Sequence, residues 1–359
     1  MAMDNKSMVA VLVVIAIVIV SGAAAFAVLS DDKKINDPVT LIDGAGRTVT
    51  ITSSDRIAST SVSMTEMICG VGGFSKLAGV TVDTNNFVTQ GSILGIADDE
   101  FPKSVVSGLD NKTIADLGKM YGISAESILL AEPDLVIMGG GSANSEATIA
   151  QLESMGIPIV ICRDNSSLEN FYFNIELIGK AIGKESGAEV LLGQMKSAIK
   201  KISDWTKSIA DIPSVGVFIT FSETGAYACG EEFYKGTVLI EMLGGVNAFN
   251  ISGMYLLVSH EGIMAVDPSI IISGTSSGPV EYIKTDPILK SLSAVKSNRV
   301  YSTVDTCNAV FSSTSLEFVN AIALMAMFMY EDHLGFEIEH AMGDNYMEYL
   351  NLFWEQINA

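Results

Sequence analysis

The first long apolar stretch of the chain, residues 8–29, contains no charged side chain. About 20 consecutive apolar residues cross a bilayer as a helix, because a helix satisfies its own backbone polar groups. The stretch predicts a single-pass membrane anchor behind a tail of residues 1–7, and it has no cysteine for a bacterial-type lipid anchor. A cleaved signal peptide is the alternative, since small residues at 23–25 suit a peptidase, although the stretch exceeds a usual signal core. In either case we expect the remaining chain to be exported.

Beyond a polar linker at residues 30–38, apolar and polar residues alternate on both sides of a glycine-rich turn. This pattern predicts a β-hairpin over residues 39–51. Short apolar runs then alternate with segments of helical period. The runs predict strands at residues 57–59, 77–81, 134–138, 157–162, 215–220, 269–273 and 300–304. The helical segments lie at residues 124–131, 144–155, 233–243 and 312–331.

Alternating strands and helices predict α/β layers with mainly parallel strands. Residues 168–209 have no strand signal and are predicted to form one or two helices joined near residues 183–187. This helical segment divides the strand series in two. We therefore expect two lobes, with their junction in the helical segment.

An internal repeat supports two lobes of the same plan. Residues 126–139 and 261–274 share Glu, Ile, Pro, Ile and Gly at a constant spacing. Each copy predicts a short helix, a turn marked by proline, a buried strand and a glycine turn. Two copies are too few for a solenoid, and chance similarity of two ordinary αβ units is the alternative.

Length, charge and composition limit the classes of function that the chain can have. The 359 residues suit two lobes of ordinary size, and the net charge of −21 at pH 7 disfavours nucleic acid and anionic headgroups as partners. The four cysteines form no C-x-x-C pair, so neither a zinc nor a redox motif is present. They are interpreted as buried apolar residues, with a Cys229–Cys307 disulfide left open. Only three histidines occur, none in an H-x-x-x-H pair, and no metal site is predicted.

Several blocks in order resemble one protein family. They are Asp43-Gly-Ala-Gly-Arg47, the segment 56–70, Leu77-Ala-Gly-Val80, the segment 125–137, Tyr227-Ala-Cys-Gly230, Glu241-Met-Leu-Gly-Gly-Val-Asn247, Val258-Ser-His-Glu261 and Asn298-Arg-Val-Tyr301. Over roughly residues 39–355 the chain is similar to the class III periplasmic binding proteins for iron–siderophore, haem and vitamin B12 complexes. The segment 125–137 is the most specific match.

The resemblance implies a fold and a role. We expect two Rossmann-like α/β lobes with mainly parallel sheets, an N-terminal lobe at residues 39–165 and a C-terminal lobe at 185–359. A single long interlobe helix at residues 166–184 would join them and restrict closure. The family holds its ligand in the interlobe cleft and delivers it to the permease dimer of an ABC importer with its ATPase. We expect a binding protein, not an enzyme, that is monomeric when free.

The repeated glutamates are predicted permease-docking residues. In the family, matching carboxylates pair with arginines on the two permease halves, and here they are Glu126 and Glu261. Such complementarity fixes orientation and speeds encounter more than it adds affinity. The alternative is that each glutamate only complements the dipole of its helix.

Ligand-binding residues are expected on loops at the carboxyl ends of strands. Tyr255 also matches a tryptophan of the vitamin B12 binder, so the resemblance implies an aromatic wall there. The candidates are Ser61, Asn85, Tyr121, Gly140, Tyr227, Glu231, Tyr255, Ser276, Asn308 and Phe311.

The small number of arginines narrows the class of ligand that the protein is expected to bind. Only Arg47, Arg56, Arg163 and Arg299 occur, and no cluster is evident. Catecholate and citrate chelates are usually held by arginine forks, so we favour a hydroxamate-type ferric siderophore or a corrinoid. An oxyanion held by backbone N–H groups at helix starts is a further alternative. No permanently bound cofactor is expected.

Two other functions are considered. Gly274-Thr-Ser-Ser-Gly278 fits the nucleophile-elbow pattern of serine hydrolases, with Ser276 as nucleophile, Asp305 as acid and His333 or His340 as base. The twin strand of the repeat has no such serine, and few strands follow it, so this function is disfavoured. A surface ligand sensor without transport is the second alternative.

Overall fold

The computed structural model describes residues 37–81, 105, 107–140, 146–164, 167–222, 225–231, 237–273, 278–303, 316, 318–342 and 345–359. The chain has a two-lobe α/β fold and divides into two compact units, one ending at Gln194 and the other beginning at Met195. The predicted anchor at residues 8–29 lies outside the described residues. Among the helices that are described, none has both the length and the apolar character to cross a membrane.

The predicted hairpin is confirmed. Strands β1 (Val39–Ile42) and β2 (Thr48–Ile51) pair antiparallel. Their turn is held by the buried carboxylate of Asp43, which accepts from the backbone N–H of Arg47 at 2.9 Å and forms an ion pair with its guanidinium at 2.7 Å. Gly44 lies so close to the backbone at Arg163 that a Cβ would collide with it, which explains the glycine.

The first unit contains a parallel sheet with strand order β5-β4-β3-β6-β7. The central strands are buried throughout, as expected for a sheet covered on both faces. The elements in chain order are β3 (Ile57–Ser59), α1 (Val62–Gly70), β4 (Leu77–Val80), β5 (Ala115–Asp116), α2 (Ala125–Leu129), β6 (Leu135–Met138), α3 (Glu146–Ser154) and β7 (Ile159–Ile161).

Two consecutive helices then carry the chain into the second unit. Helix α4 (Leu168–Ile182) ends at Gly183, whose left-handed conformation (φ 70°) closes the helix. Helix α5 (Glu185–Lys207) contains the boundary between the compact units. Of the one or two helices predicted with a joint near residues 183–187, the structure has two. The assignment of the lobe boundaries to residues 165 and 184 remains a prediction.

The second unit contains a mixed sheet with strand order β11-β9-β8-β12-β13, and β10 also pairs with β8. Strands β8, β12 and β13 are parallel, whereas β9 is antiparallel to both β8 and β11. The elements are β8 (Ser214–Ser222), β9 (Gly225–Cys229), α6 (Val238–Met242), β10 (Val246–Asn247), β11 (Tyr255–Val258), α7 (His260–Val266), β12 (Ile270–Ser273), α8 (Gly278–Thr285), α9 (Ser293–Lys296) and β13 (Val300–Ser302).

Two C-terminal helices complete the second unit. Every residue of α10 (Phe318–Met329) is buried, so this apolar helix belongs to the core. The following Tyr330 donates its hydroxyl to the carbonyl of Leu243 at 2.7 Å. Helix α11 (Tyr346–Asn358) packs against α10 and buries Phe353, whose ring meets Trp205 edge-on at 5.1 Å. The unit thus has its own core of aliphatic and aromatic side chains.

Candidate functional site

The internal repeat has the same local structure in both units. Ser124 and Ser259 are the N-caps of helices α2 and α7, and each hydroxyl accepts the backbone N–H of the third helical residue, Ser127 or Gly262. After each helix and its proline, a polar side chain holds the start of a neighbouring strand. Asp134 accepts from the backbone N–H of Arg56 at 3.0 Å, and Ser269 accepts from that of Ser214 at 3.0 Å. The predicted helix–proline–strand unit is therefore confirmed in both copies.

The repeated glutamates lie in equivalent positions of this unit. Glu126 and Glu261 are exposed in the first turns of α2 and α7. Their own backbone N–H groups lower the pKa of both carboxyls, and the hydroxyls of Ser124 and Ser259 add to the effect. Neither carboxylate forms an ion pair with a cation of the described chain. Each unit thus presents one anion that remains available to a partner.

An exposed apolar patch lies on the edge of the second sheet. Tyr227 of β9 is opposite Leu257 of β11, and Tyr255 is opposite Cys229, so all four share one face. Tyr227, Tyr255 and Leu257 are exposed by 46%, 50% and 70%. We call these three residues the β9–β11 patch. Two predicted ligand residues, Tyr227 and Tyr255, are therefore brought together, whereas Leu257 was not predicted.

The other predicted residue of this region, Glu231, follows the end of β9. It is exposed, and its backbone N–H donates to the carbonyl of Ile251 at 3.0 Å. This bond and one from Gly230 to Met254, at 3.1 Å, tie the end of β9 to the segment before β11. Four further predictions lie outside the described residues: Asn85, Ser276, Asn308 and Phe311.

In the first unit, Ser61 and Gly140 follow the neighbouring strands β3 and β6, and a Cβ at Gly139 would lie 3.1 Å from the Ser61 hydroxyl. Ser61 is buried, and its hydroxyl caps helix α1 by accepting the backbone N–H of Met64 at 3.4 Å. Its side chain therefore has a structural contact. Tyr121 is 75% exposed in the turn before α2. Their roles in ligand binding remain predictions.

Gly140 lines a pocket of about 290 Å³ at the carboxyl ends of β6 and β7. A Cβ at this position would lie 2.5 Å from the backbone of Arg163, so only glycine fits. The Arg163 guanidinium stacks 3.8 Å above the ring of Phe173 and lies 3.4 Å from the amide oxygen of Asn170. The remaining pocket residues are Gly44, Ala45, Ile161, Cys162 and Asp164.

All four arginines are engaged within their own unit. Arg56 donates to the carbonyls of Ala131 and Glu132, and Arg163 stacks as described above. Arg47 bonds to Asp43, Glu153 and the carbonyl of Ile159. Arg299 bonds to Tyr301, Asp332 and the carbonyls of Phe328 and Met329. These contacts agree with the expectation that the four arginines do not form a cluster that could bind an anionic ligand.

The cysteines and histidines considered for redox, catalytic or metal-binding roles are at least partly buried, contact other side chains or lie outside the described residues. Burial raises the pKa of the Cys69 and Cys162 thiols, which disfavours their reactive form. Cys307 is not among the described residues, so its pairing with Cys229 stays untested. The imidazole of His333 contacts Asp211 at 2.8 Å, and that of His340 contacts Glu331 at 3.3 Å. In the described ranges, no three Cys, His, Asp or Glu side chains gather as metal ligands do.

The comparison with known families decides what this architecture is. The model of the periplasmic binding protein family matches residues 57–306, which is more than half of the chain. The chain belongs to this family. It is a class III substrate-binding protein of an ABC transporter and not an enzyme, so the hydrolase alternative is excluded.

Individual relatives agree with this assignment. The chain is 29% identical over 270 residues to the uncharacterized ABC transporter substrate-binding lipoprotein YvrC of Bacillus subtilis, covering 74% of this chain and 77% of the relative. It is 23% identical over 276 residues to a cobalamin-binding protein of Halobacterium salinarum, covering 76% and 68%. A crystal structure of a possible iron-binding periplasmic protein from Staphylococcus epidermidis superposes with a TM-score of 0.60 at 20% identity, over 77% of this chain and 98% of that one.

Proposed function

We propose that this substrate-binding protein captures a hydroxamate-type ferric siderophore or a corrinoid and delivers it to the permease of an ABC importer. Family membership supports binding and delivery of a siderophore, haem or cobalamin. The observation that narrows the ligand class is that all four arginines form contacts within the protein. A catecholate or citrate chelate is a multiply charged anion that would require free arginine forks.

The β9–β11 patch supports this ligand class. Tyr227, Tyr255 and Leu257 offer a large apolar surface with two phenol groups at its border. Aromatic side chains bury large areas, and a tyrosine hydroxyl can still hydrogen-bond. A tyrosine phenol is neutral at pH 7 and can donate, and partial burial raises the pKa of Tyr255 further above pH 7. A bulky, weakly charged chelate fits such a surface better than a compact anion does.

We assign permease docking to Glu126 and Glu261. The lowered pKa of each carboxyl keeps it negative at the pH of any ordinary extracytoplasmic compartment. One exposed anion on each unit suits a permease built from two halves, each with a cationic docking residue. Complementary charge of this kind orients the encounter and accelerates it.

Export with residues 8–29 as an uncleaved anchor completes the proposal, since a binding protein must stay near its permease. Mass spectrometry of the protein isolated from membranes tests it. The intact N-terminal segment is expected, and a mature N-terminus beyond residue 27 would show cleavage instead.

Calorimetric titration tests the ligand class. Residues 37–359 are titrated with a ferric hydroxamate, cobalamin, haem, ferric citrate and molybdate. Saturable binding of the hydroxamate or cobalamin is expected. Exclusive binding of ferric citrate or molybdate would contradict the proposed class while leaving the family assignment intact.

Uptake by cells carrying the double variant Glu126→Ala/Glu261→Ala tests docking. Loss of uptake with unchanged ligand affinity is expected. The matched control is Glu146→Ala/Glu281→Ala, because these exposed glutamates also lie in first helical turns, one in each unit. Wild-type uptake by the Glu126/Glu261 variant would reject the docking role. Uptake that is unchanged in cells lacking this protein would favour the sensor alternative.

A further inference from the structure

Two large apolar side chains are exposed beside Glu126. Leu130 lies one helical turn after Glu126 and is 70% exposed. On the neighbouring helix α3, the Gln151 amide donates to the Glu126 carboxylate at 3.4 Å. Met155 lies one turn after Gln151 and is 56% exposed. Leu130 and Met155 directly follow the last residues of α2 and α3, each four residues after a member of the Glu126–Gln151 pair. We group Glu126, Leu130, Gln151 and Met155 as the α2–α3 patch.

Packing of the first unit does not require these two apolar side chains. Helix α2 buries Ala125 and Ile128 against the core, and α3 buries Leu152. Leu130 and Met155 extend from the ends of the same helices into solvent. Single exposed apolar residues are ordinary on a protein surface, but here two of them accompany an anion that lacks a cationic partner in the described chain.

The second unit has a different surface around its glutamate. The residue one turn after Glu261 is Ala265, so no large side chain occupies the position equivalent to Leu130. The exposed large apolar residues nearest to Glu261 in sequence are Leu257, four residues before it at 70%, and Val266, five residues after it at 39%. Asp286, whose pKa is lowered chiefly by the backbone N–H of Leu289, adds negative charge. The repeat therefore keeps the anion in both copies but not the large apolar side chain one turn after it.

We infer that Leu130 and Met155 are part of the permease-docking surface and that they shield the Glu126 ion pair from water. The inference rests on the proposed docking role of Glu126. The occupant is a permease subunit that presents a cationic side chain, arginine or lysine, bordered by apolar residues on its extracytoplasmic face. Apolar contacts around a charge pair exclude water and strengthen the pair, as neighbours of an interface hot spot do.

The test measures binding of the full chain to its permease–ATPase complex in lipid nanodiscs. The variant Leu130→Gln/Met155→Gln keeps the side-chain size and helix propensity but removes the apolar surface. We expect its Kd for the transporter to rise at least tenfold while its ligand affinity and thermal midpoint stay as in the wild type. The control is Ile42→Gln/Ile212→Gln, whose residues are exposed by 66% and 72% and are not members of the α2–α3 patch. It should bind the transporter as the wild type does.

A double-mutant cycle separates shielding from simple contact. If Leu130 and Met155 shield the ion pair, Glu126→Gln should raise Kd less in the Leu130→Gln/Met155→Gln background than in the wild type. Additive effects would reject shielding, and an unchanged Kd of Leu130→Gln/Met155→Gln would reject the apolar contact. If the Kd of Leu130→Gln/Met155→Gln is unchanged but Glu126→Gln weakens binding, the docking role stands and only the further inference fails. If Glu126→Gln also binds as the wild type does, both fail.

Discussion

Glu132 and Asp267 occupy the same left-handed backbone conformation, with φ of 46° and 45°, in the two copies of the repeat. Each directly precedes a proline, which disfavours the right-handed helical conformation of the preceding residue. The left-handed region costs a residue with a Cβ about 1–2 kcal/mol. The contacts that offset this cost differ: the carbonyl of Glu132 accepts from Arg56 at 2.9 Å, whereas the carboxylate of Asp267 accepts from Ser293.

Glycine substitution at the two positions should therefore affect stability differently. Glu132→Gly relieves backbone strain and keeps the carbonyl contact, so we expect the free energy of unfolding to stay equal or rise by up to about 1 kcal/mol. Asp267→Gly also removes two hydrogen bonds to Ser293, and we expect a loss of about 1 kcal/mol or more. Urea denaturation of both variants measures the difference. Equal shifts in the two midpoints would contradict this account.

Asp267 should also make the second unit sensitive to acid. The Ser293 hydroxyl and backbone N–H lower the pKa of the Asp267 carboxyl. A carboxyl with a lowered pKa in the folded state stabilises the protein above its unfolded-state pKa of about 3.9. The contribution is lost as the pH falls through the lower folded-state value. Urea midpoints at pH 5 and pH 3 should differ less in Asp267→Asn than in the wild type, and an identical difference would exclude the effect.

Asp43 should stabilise the first unit strongly. Its buried carboxylate binds the Arg47 guanidinium and accepts backbone N–H groups of Ala45, Arg47 and Ile161. Asp43→Ala would leave the three backbone N–H groups without their acceptor, while the partly exposed Arg47 keeps Glu153 and the Ile159 carbonyl, so the substitution should cost about 2–3 kcal/mol. The exposed Asp37→Ala is the control and should change the urea midpoint little. A loss below about 1 kcal/mol for Asp43→Ala would show that the hairpin does not depend on this carboxylate.

Much of the architecture follows from patterns within short segments. Alternation around Gly44 and Gly46 predicted the hairpin, and continuous apolar runs predicted the parallel strands, because both signals lie within a few residues. The pairing of Tyr227 with Leu257 joins residues that are distant along the chain, and no tight turn links their strands. The sequence therefore predicted the two tyrosines as ligand-binding residues but did not predict Leu257. Ser61 was selected for its place after a strand, yet that place also makes it a helix N-cap.

The β9–β11 patch should contribute to ligand affinity through its rings. Tyr227→Ala and Tyr255→Ala remove apolar area, and we expect each to raise the ligand Kd about tenfold or more. Tyr227→Phe should stay within about threefold, since the ring remains. Calorimetry with the ligand found by screening makes the measurement, with the exposed Ile212→Ala as control. Wild-type affinity in both alanine variants would place the ligand elsewhere.

Tyr301 connects a charged network in the second unit. Its hydroxyl accepts from the Arg299 guanidinium at 2.7 Å and donates to Glu331, which also contacts His340. Arg299, Glu331 and His340 border an open pocket of about 450 Å³. The Tyr301 ring stacks on Phe328 with a centroid distance of 4.6 Å. Tyr301→Phe keeps the stacking and removes only the hydroxyl, which leaves Arg299 and Glu331 each without one partner.

The free energy of unfolding should then fall by about 1–3 kcal/mol, because both remaining groups are largely shielded from solvent. Tyr121→Phe, in an exposed turn, is the control with little expected change. Burial and the bond to Glu331 raise the pKa of Tyr301, so the unfolded phenol releases its proton first as the pH rises above about 10. Wild-type stability should therefore decline there, and more steeply than that of Tyr301→Phe. Parallel declines in the two proteins would mean that the network does not depend on the protonated phenol.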